Sequence, residues 1–219
     1  MPPANAIVFP NLQQRSGWQS CGSSSCAGGN GTSTYWMAQN QTTPSLSGSS
    51  MQLQNAGVWA NALWWNHLGA NNNVTNFLWD FYFQVNSASV NAAQALEFDA
   101  FQFIGGYNYM IGSQCDYGAG VWDTWDELNG KWIHTSIACP KFTPGVWHHI
   151  QWYMQTNPAN HTYHYVTLVV DGTSYSVNQT YSALQNGWSD NLGVQYQLDV
   201  NASGAAYQEW VDQASLTLW

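Results

Sequence analysis

The 219-residue sequence predicts an all-β fold, an antiparallel sandwich of two sheets, and three observations predict it. Apolar residues recur at every second position in several runs, and no stretch holds them at helical spacing. The pairs Asn129-Gly130 and Asp171-Gly172 stand between such runs, and Asn-Gly and Asp-Gly favour two-residue hairpins. About ten short strands without helices leave sheet-on-sheet packing as the way to bury their apolar faces.

Residues 22–50 are dense in Gly, Ser, Thr, Asn and Gln, and the first 50 or so residues read as a polar segment packed on the sandwich. Beyond them, alternation along 77–85 puts Phe77, Trp79, Phe81, Phe83 and Val85 on one face, which predicts a core-facing strand. An apolar run follows at 95–103. Further strands are predicted around 107–115, 131–138, 148–155, 163–170, 174–177, 195–200 and 213–218. Neither an internal repeat nor a long linker interrupts the chain, so residues 1–219 are expected to form a single domain, a size that sandwiches commonly reach.

Charged residues make up only 7% of the chain, against roughly 25% in ordinary soluble domains. Arg15, Lys131 and Lys141 are the whole basic complement against twelve acidic residues, a formal charge of −9. A phosphate backbone or an anionic membrane finds almost nothing to hold in such a chain. Aromatic residues reach 16%, including fourteen Trp. Rings in that number offer flat apolar surfaces for the CH face of a pyranose, and the many amides suit its hydroxyls. The composition therefore points to neutral glycans.

Four Cys is an even count, and pairing sequence neighbours among the three possible connectivities gives Cys21–Cys26 and Cys115–Cys139. The spacing does not suit a four-Cys zinc site. Disulfides imply a secreted, extracellular protein, with Met1-Pro2-Pro3 standing in place of a removed signal peptide. No apolar run approaches the roughly 18–20 residues of a membrane span.

The most informative segment is Glu97-Phe98-Asp99-Ala100-Phe101-Gln102. In a strand Glu97 and Asp99 share a face, opposite Leu96, Phe98 and Ala100, and two carboxylates inside an aromatic run need a reason to be there. Strict alternation sends Gln102 to the other face. A bulge after Asp99 would return it, giving Glu, Asp and Gln in order on one face.

On these residues the chain resembles the concanavalin-A-like β-jelly-roll glucanases, the laminarinase and lichenase group, whose signature is Glu-x-Asp-x-x-Glu on a bulged strand. The resemblance implies Glu97 as nucleophile and Asp99 as its helper, but Gln102 stands where the acid/base would be. An amide cannot replace an acid that protonates the leaving oxygen. Pro144-Gly145-Val146-Trp147-His148-His149-Ile150 followed by Leu168-Val169-Val170-Asp171-Gly172 is also similar to a pattern of laminin-G-like and pentraxin-like jelly rolls, which implies a buried anchor in Trp147 and a turn between back-sheet strands at Asp171-Gly172. Together the two resemblances cover roughly residues 77–219 and imply a jelly roll, a fold shared by lectins, glycosidases, lyases and adhesion domains.

The reading that follows is a carbohydrate-recognising protein binding a neutral, β-glucan-like polysaccharide in a concave cleft. Glu97, Asp99 and Gln102 form its polar floor, and Trp64, Trp65, Trp122, Trp125 and Trp188 are the candidate stacking rings. No cofactor is required, although Asp116, Asp123, Asp126 and Glu127 are candidate calcium ligands. The first alternative is a retaining endo-β-glycosidase with Glu97 as nucleophile and a displaced acid, for which Glu209 beside Trp210 is the leading candidate. The second is a laminin-G-like adhesion or surface protein. Lyase activity is disfavoured, since no pair of Arg residues is free to neutralise a uronate.

Overall fold

The structure is a computed structural model that describes residues 2–219. Its strands are β1 (Ile7–Phe9), β2 (Gln19–Gly22), β3 (Thr34–Gln41), β4 (Ser50–Ala56), β5 (Asn61–Gly69), β6 (Asn76–Val85), β7 (Ala93–Ile104), β8 (Tyr107–Ile111), β9 (Ser113–Asp116), β10 (Val121–Asp126), β11 (Lys131–Ala138), β12 (His148–Asn157), β13 (Thr162–Val170), β14 (Thr173–Ser182), β15 (Leu184–Gln185), β16 (Asn191–Val200) and β17 (Tyr207–Leu218). The helical content is a turn of 3-10 helix, Leu12–Gln14, and one α-turn, Ser89–Ala92. None of this is long and apolar enough to cross a membrane as a helix.

The strands form two antiparallel sheets, the jelly-roll sandwich that the sequence predicts. One runs β14-β13-β12-β6-β17-β4-β3 with β1 beside β17, and the other runs β11-β10-β9-β7-β16-β5-β2 with β8 beside β7 and β15 beside β8. Asn129-Gly130 turns β10 into β11, and Asp171-Gly172 turns β13 into β14 with both residues at positive φ (49° and 81°), as the tight hairpin requires. The predicted 107–115 strand breaks at Gly112 into β8 and β9. The first 50 residues are not merely a polar cover: β1 pairs with β17, β2 with β5 and β3 with β4, so they extend both sheets.

Alternation decides which side chains meet between the sheets. From β6, Phe77, Trp79, Phe81, Phe83 and Val85 are all buried, as predicted, and face Leu96, Phe98 and Ala100 of β7 and Val194, Tyr196 and Leu198 of β16. Rings cross the interface at Phe81–Phe98 (4.9 Å), Trp79–Tyr196 (5.6 Å) and Trp122–Trp152 (6.0 Å). Each such pair adds about 0.5–1.5 kcal/mol beyond its buried area. Trp147, expected to be a buried anchor, is only half-buried, because it precedes β12 instead of lying within it. Both disulfides form, Cys21–Cys26 and Cys115–Cys139.

Candidate functional site

The outward face of the second sheet holds a cleft of about 910 Å³. Its floor follows from register. Across neighbouring strands the aligned residues are His134, Asp123, Gln114, Glu97, Gln197, Leu63 and Cys21, one from each of β11, β10, β9, β7, β16, β5 and β2, and of these Glu97, Gln197 and Leu63 line the cleft. Such directly opposed side chains lie close enough to bond laterally, and they do. His134 Nδ1 sits 2.6 Å from Asp123 Oδ1, Gln114 Nε2 donates to Asp123 Oδ2 at 2.8 Å, and Gln197 Nε2 donates to Glu97 Oε2 at 2.7 Å.

Asp99 stands one step along β7, opposite Gln195. Its Oδ2 accepts from Gln195 Nε2 at 2.6 Å and its Oδ1 from the Ser113 backbone N–H at 2.8 Å. On the other side of Glu97, Asp199 of β16 pairs with Ala95, and Asp116 of β9 pairs with the same Ala95. Asp199 lines the cleft, is 6% exposed, and leaves Oδ1 without a partner.

These acids sit in the dry floor of a sheet with no cation beside them. Burial, then the charges of Asp99 and Asp199, push Glu97 well above its usual value, and Glu97 and Asp99 share a hydrogen bond. Burial raises Asp99 to about 6, against the hydrogen bonds from Glu97, Gln195 and Ser113. Burial likewise lifts Asp199 to about 8, with the charges of Asp99 and Asp116 adding to it. Burial thus favours the protonated forms of Glu97 and Asp199, in which a carboxyl donates as well as accepts hydrogen bonds.

Aromatic walls flank the floor. Trp125 and Trp132, opposed on β10 and β11, pack at 5.0 Å on one side. Trp65 and Leu63 of β5 stand on the other, below the Cys26–Gly29 rim. At one end Phe101 stacks on Phe103 at 5.0 Å, and Trp188, 52% exposed, meets Phe103 edge-on at 4.8 Å. Gly193 makes that end possible: a Cβ there would come within 2.5 Å of the Phe101 ring, so its absence lets Phe101 and His67 meet across β16 at 5.6 Å. Glu127 is fixed at the wall by Asn108 Nδ2 (2.6 Å) and by Trp125 Nε1.

Of the residues expected in the site, Glu97, Trp65, Trp125 and Trp188 line the cleft, and Asp99 is bonded to its floor. The others do not reach it. β7 continues past Asp99 without a bulge, Gln102 opposing Leu192 in unbroken register, so Phe101 takes the cleft-facing place and Gln102 points into the core. There it needs no route to solvent: it accepts from Thr156 Oγ1 (2.8 Å) and donates to the Asn71 and Val74 carbonyls (3.1 and 3.2 Å). Trp64 and Trp122 are buried between the sheets, because each alternates with a cleft-facing neighbour. Glu209 lies on β17 of the opposite sheet, fully buried with Tyr207 and Val211, and has no access to the cleft.

Sequence reasoning missed Trp132, Gln195, Gln197 and Asp199. The alternation Gln195-Tyr196-Gln197-Leu198-Asp199 was the available signal, a polar stripe of the same period as Glu97-x-Asp99.

The four acids expected as calcium ligands do not converge. Asp126 accepts from Asn129 in the β10–β11 turn and Glu127 is held by Asn108 and Trp125. Asp116 and Asp123 instead meet His134, with donor atoms all within 4.8 Å of one another, a mixed nitrogen and oxygen set of the kind that suits a divalent transition metal. Asp123 bonds to His134, which raises the imidazole above its usual pKa.

No family model matches the chain, and no curated protein sequence does. Solved structures do match in shape. The carbohydrate esterase vb_24B_21 from the Shiga toxin-encoding bacteriophage phi24B aligns over 97% of this chain and 99% of its own at 17% identity, with a TM-score of 0.51. The cellulose induced protein Cip1 aligns over 91% of this chain and 90% of its own at 13% identity, with a TM-score of 0.52. At such identities the likeness is one of fold, the two-sheet antiparallel β-sandwich.

Proposed function

We propose that this is a secreted protein that recognises a neutral, β-glucan-like polysaccharide along the cleft of the second sheet. One observation carries the reading: four indole rings and two phenyl rings wall a floor of Gln195, Gln197, Glu97 and Asp199, and none of the chain's Arg or Lys residues lines the cleft. Rings supply flat apolar surface for the sugar faces. The amides and protonated carboxyls supply donors and acceptors for hydroxyls, which need both. Acidic glycans find no counter-charge. The two disulfides agree with an oxidising, extracellular setting. Arg15, Lys131 and Lys141 are engaged elsewhere or exposed, Arg15 on Asn66 and Lys141 on the Val90 carbonyl.

The test is intrinsic tryptophan fluorescence against neutral oligosaccharides, with Trp188→Ala and Trp65→Ala beside the parent. Binding that weakens about tenfold in either variant, roughly 1.4 kcal/mol, is expected. Silence across a broad panel of β-glucans overturns the reading and favours a protein ligand.

A second reading, an endo-β-glycosidase, is favoured by one observation. Asp199 stands diagonally beside Glu97 on the adjoining strand, and diagonal neighbours lie within reach of the roughly 5–5.5 Å carboxyl spacing of retaining enzymes. Release of new reducing ends, lost in Glu97→Gln and in Asp199→Asn, would establish it.

A further inference from the structure

Resting on the reading of the cleft as a glycan site, we propose that its floor is built to take an amino sugar, the primary amine of an otherwise neutral chain seated at Asp199 beside Glu97, with Asp99 on the far side of Glu97. The argument begins with what the floor lacks. Three carboxyl groups stand on two adjoining strands, no Lys or Arg comes from a strand packed against them, and the imidazole of His134 on β11 is already engaged by Asp123. Asp116 comes from β9, Asp123 from β10 with its hydrogen bond to His134 of β11, and β5 contributes Asn61. His67 and Glu127, the other titratable groups lining the cleft, lie toward its aromatic end and its wall.

A fold gains nothing from placing acids together without a cation. Desolvation and mutual repulsion force protons onto them, and a hydrophobic or amide floor would avoid that cost. The arrangement makes sense if the cation comes with the ligand. Glu97 and Asp99 already have their amide and backbone partners, whereas Asp199 keeps Oδ1 unbonded though the residue is 94% buried by its 6% exposure, and it borders the cleft. That open acceptor is what an ammonium requires. The Trp walls add ring faces, which attract a cation as well as stacking on its sugar.

Two chemical consequences separate this from hydroxyl recognition. An ammonium stabilises the carboxylate form of the acids around it, so its binding expels protons from the floor. The attraction is also Coulombic and weakens with salt more than a hydrogen bond between neutral groups does.

Calorimetric titration with three linear β-1,4 hexasaccharides tests the proposal: one of glucose, one of glucosamine and one of N-acetylglucosamine, near pH 6. The expected result is that the glucosamine chain binds at least tenfold more tightly than the other two, with net proton release in buffers of different ionisation heat. In Asp199→Asn the ratio of glucosamine-chain to glucose-chain affinity should fall toward one, and the net proton release should diminish. Equal affinity for the glucose and glucosamine chains overturns the inference and leaves the glycan reading standing. Binding of none of the three overturns both. A calcium-induced rise in melting temperature that disappears in Asp199→Asn would overturn the inference in favour of a metal ion.

Discussion

Glu209→Met should stabilise the protein, and the gain should grow with pH. Glu209 is fully buried, neither carboxyl oxygen has a hydrogen-bond partner, and burial alone pushes its pKa well above the ordinary value of 4.5. Even protonated, a polar group left unpaired in the core costs about 1–3 kcal/mol. Methionine has similar volume and length, so the swap removes that cost with little repacking. In a chain of this size 1 kcal/mol moves the melting temperature by roughly 2–4 °C, which places the gain between about 2 and 12 °C. Linkage supplies the pH dependence. The unfolded chain releases the Glu209 proton near its ordinary pKa while the folded protein keeps it, so the folded state binds more protons and loses stability as pH rises. The loss is about 1.4 kcal/mol per pH unit between the unfolded and the folded pKa. Urea unfolding of parent, Glu209→Met and Glu209→Gln at pH 4, 5.5 and 7 measures both parts. Glu209→Gln keeps the buried polar group and removes only the titration, so its gain should appear only at the higher pH values. A Met variant destabilised at every pH would refute the reasoning, since it would mean that Glu209 has a buried partner it cannot spare.

Three further outcomes are expected. Asp199→Asn should flatten the decline in melting temperature between pH 5 and 8, because a folded pKa raised from 3.8 to about 8 makes stability fall as pH climbs through that window; an unchanged slope in a pH-resolved melting series would contradict this. Replacing Cys115 and Cys139 by Ala should cost about 3–4 kcal/mol in denaturant unfolding, the chain-entropy value for a loop of this length, whereas removing Cys21–Cys26, which spans only 5 residues, should cost less. Asp212→Asn should destabilise by about 1.5–3 kcal/mol, the loss of hydrogen bonds to a charged acceptor; Asp212 accepts from Gln13, Ser45, Leu46 and Ser47, so limited proteolysis should open residues 42–49 first.

Periodicity made much of this fold readable, and the limits of periodicity explain the rest. The alternation of 77–85 identified both a strand and its buried face, because five large apolar residues share one side. The Glu97-x-Asp99 face was readable for the same reason. Gln102 was not, since an amide reveals only that it needs partners, and Thr156 with the Asn71 and Val74 carbonyls supplies them inside the core. Trp64 and Trp65 show the same limit from the apolar side: adjacent strand residues cannot share a face, yet nothing in two identical residues tells which faces inward. The floor itself joins residues as far apart as Glu97 and Gln197, a separation of 100, through register that only the folded sheet defines. β2 and β3 escaped because they are edge strands whose alternation is weak.

Three buried carboxyls of this protein meet the cost of burial in different ways, and the difference bears on the proposed amine site. Asp212 receives the side-chain amide of Gln13 and hydroxyl and backbone donors from the 45–47 loop; burial alone would raise its pKa, but the hydrogen bonds from Ser45, Leu46 and Ser47 outweigh it and hold the group below its ordinary value as a charged anchor. Glu209 has no donors and no opening, so it stays protonated and serves neither solvent nor substrate. Asp199 has a neighbouring amide, an acidic surround and an open oxygen at the cleft. The first has its compensation built in and the second has none within reach of solvent. Only the third can be compensated by something that arrives from outside, so the residue that the fold leaves unsatisfied at its surface is the one at which a ligand gains most.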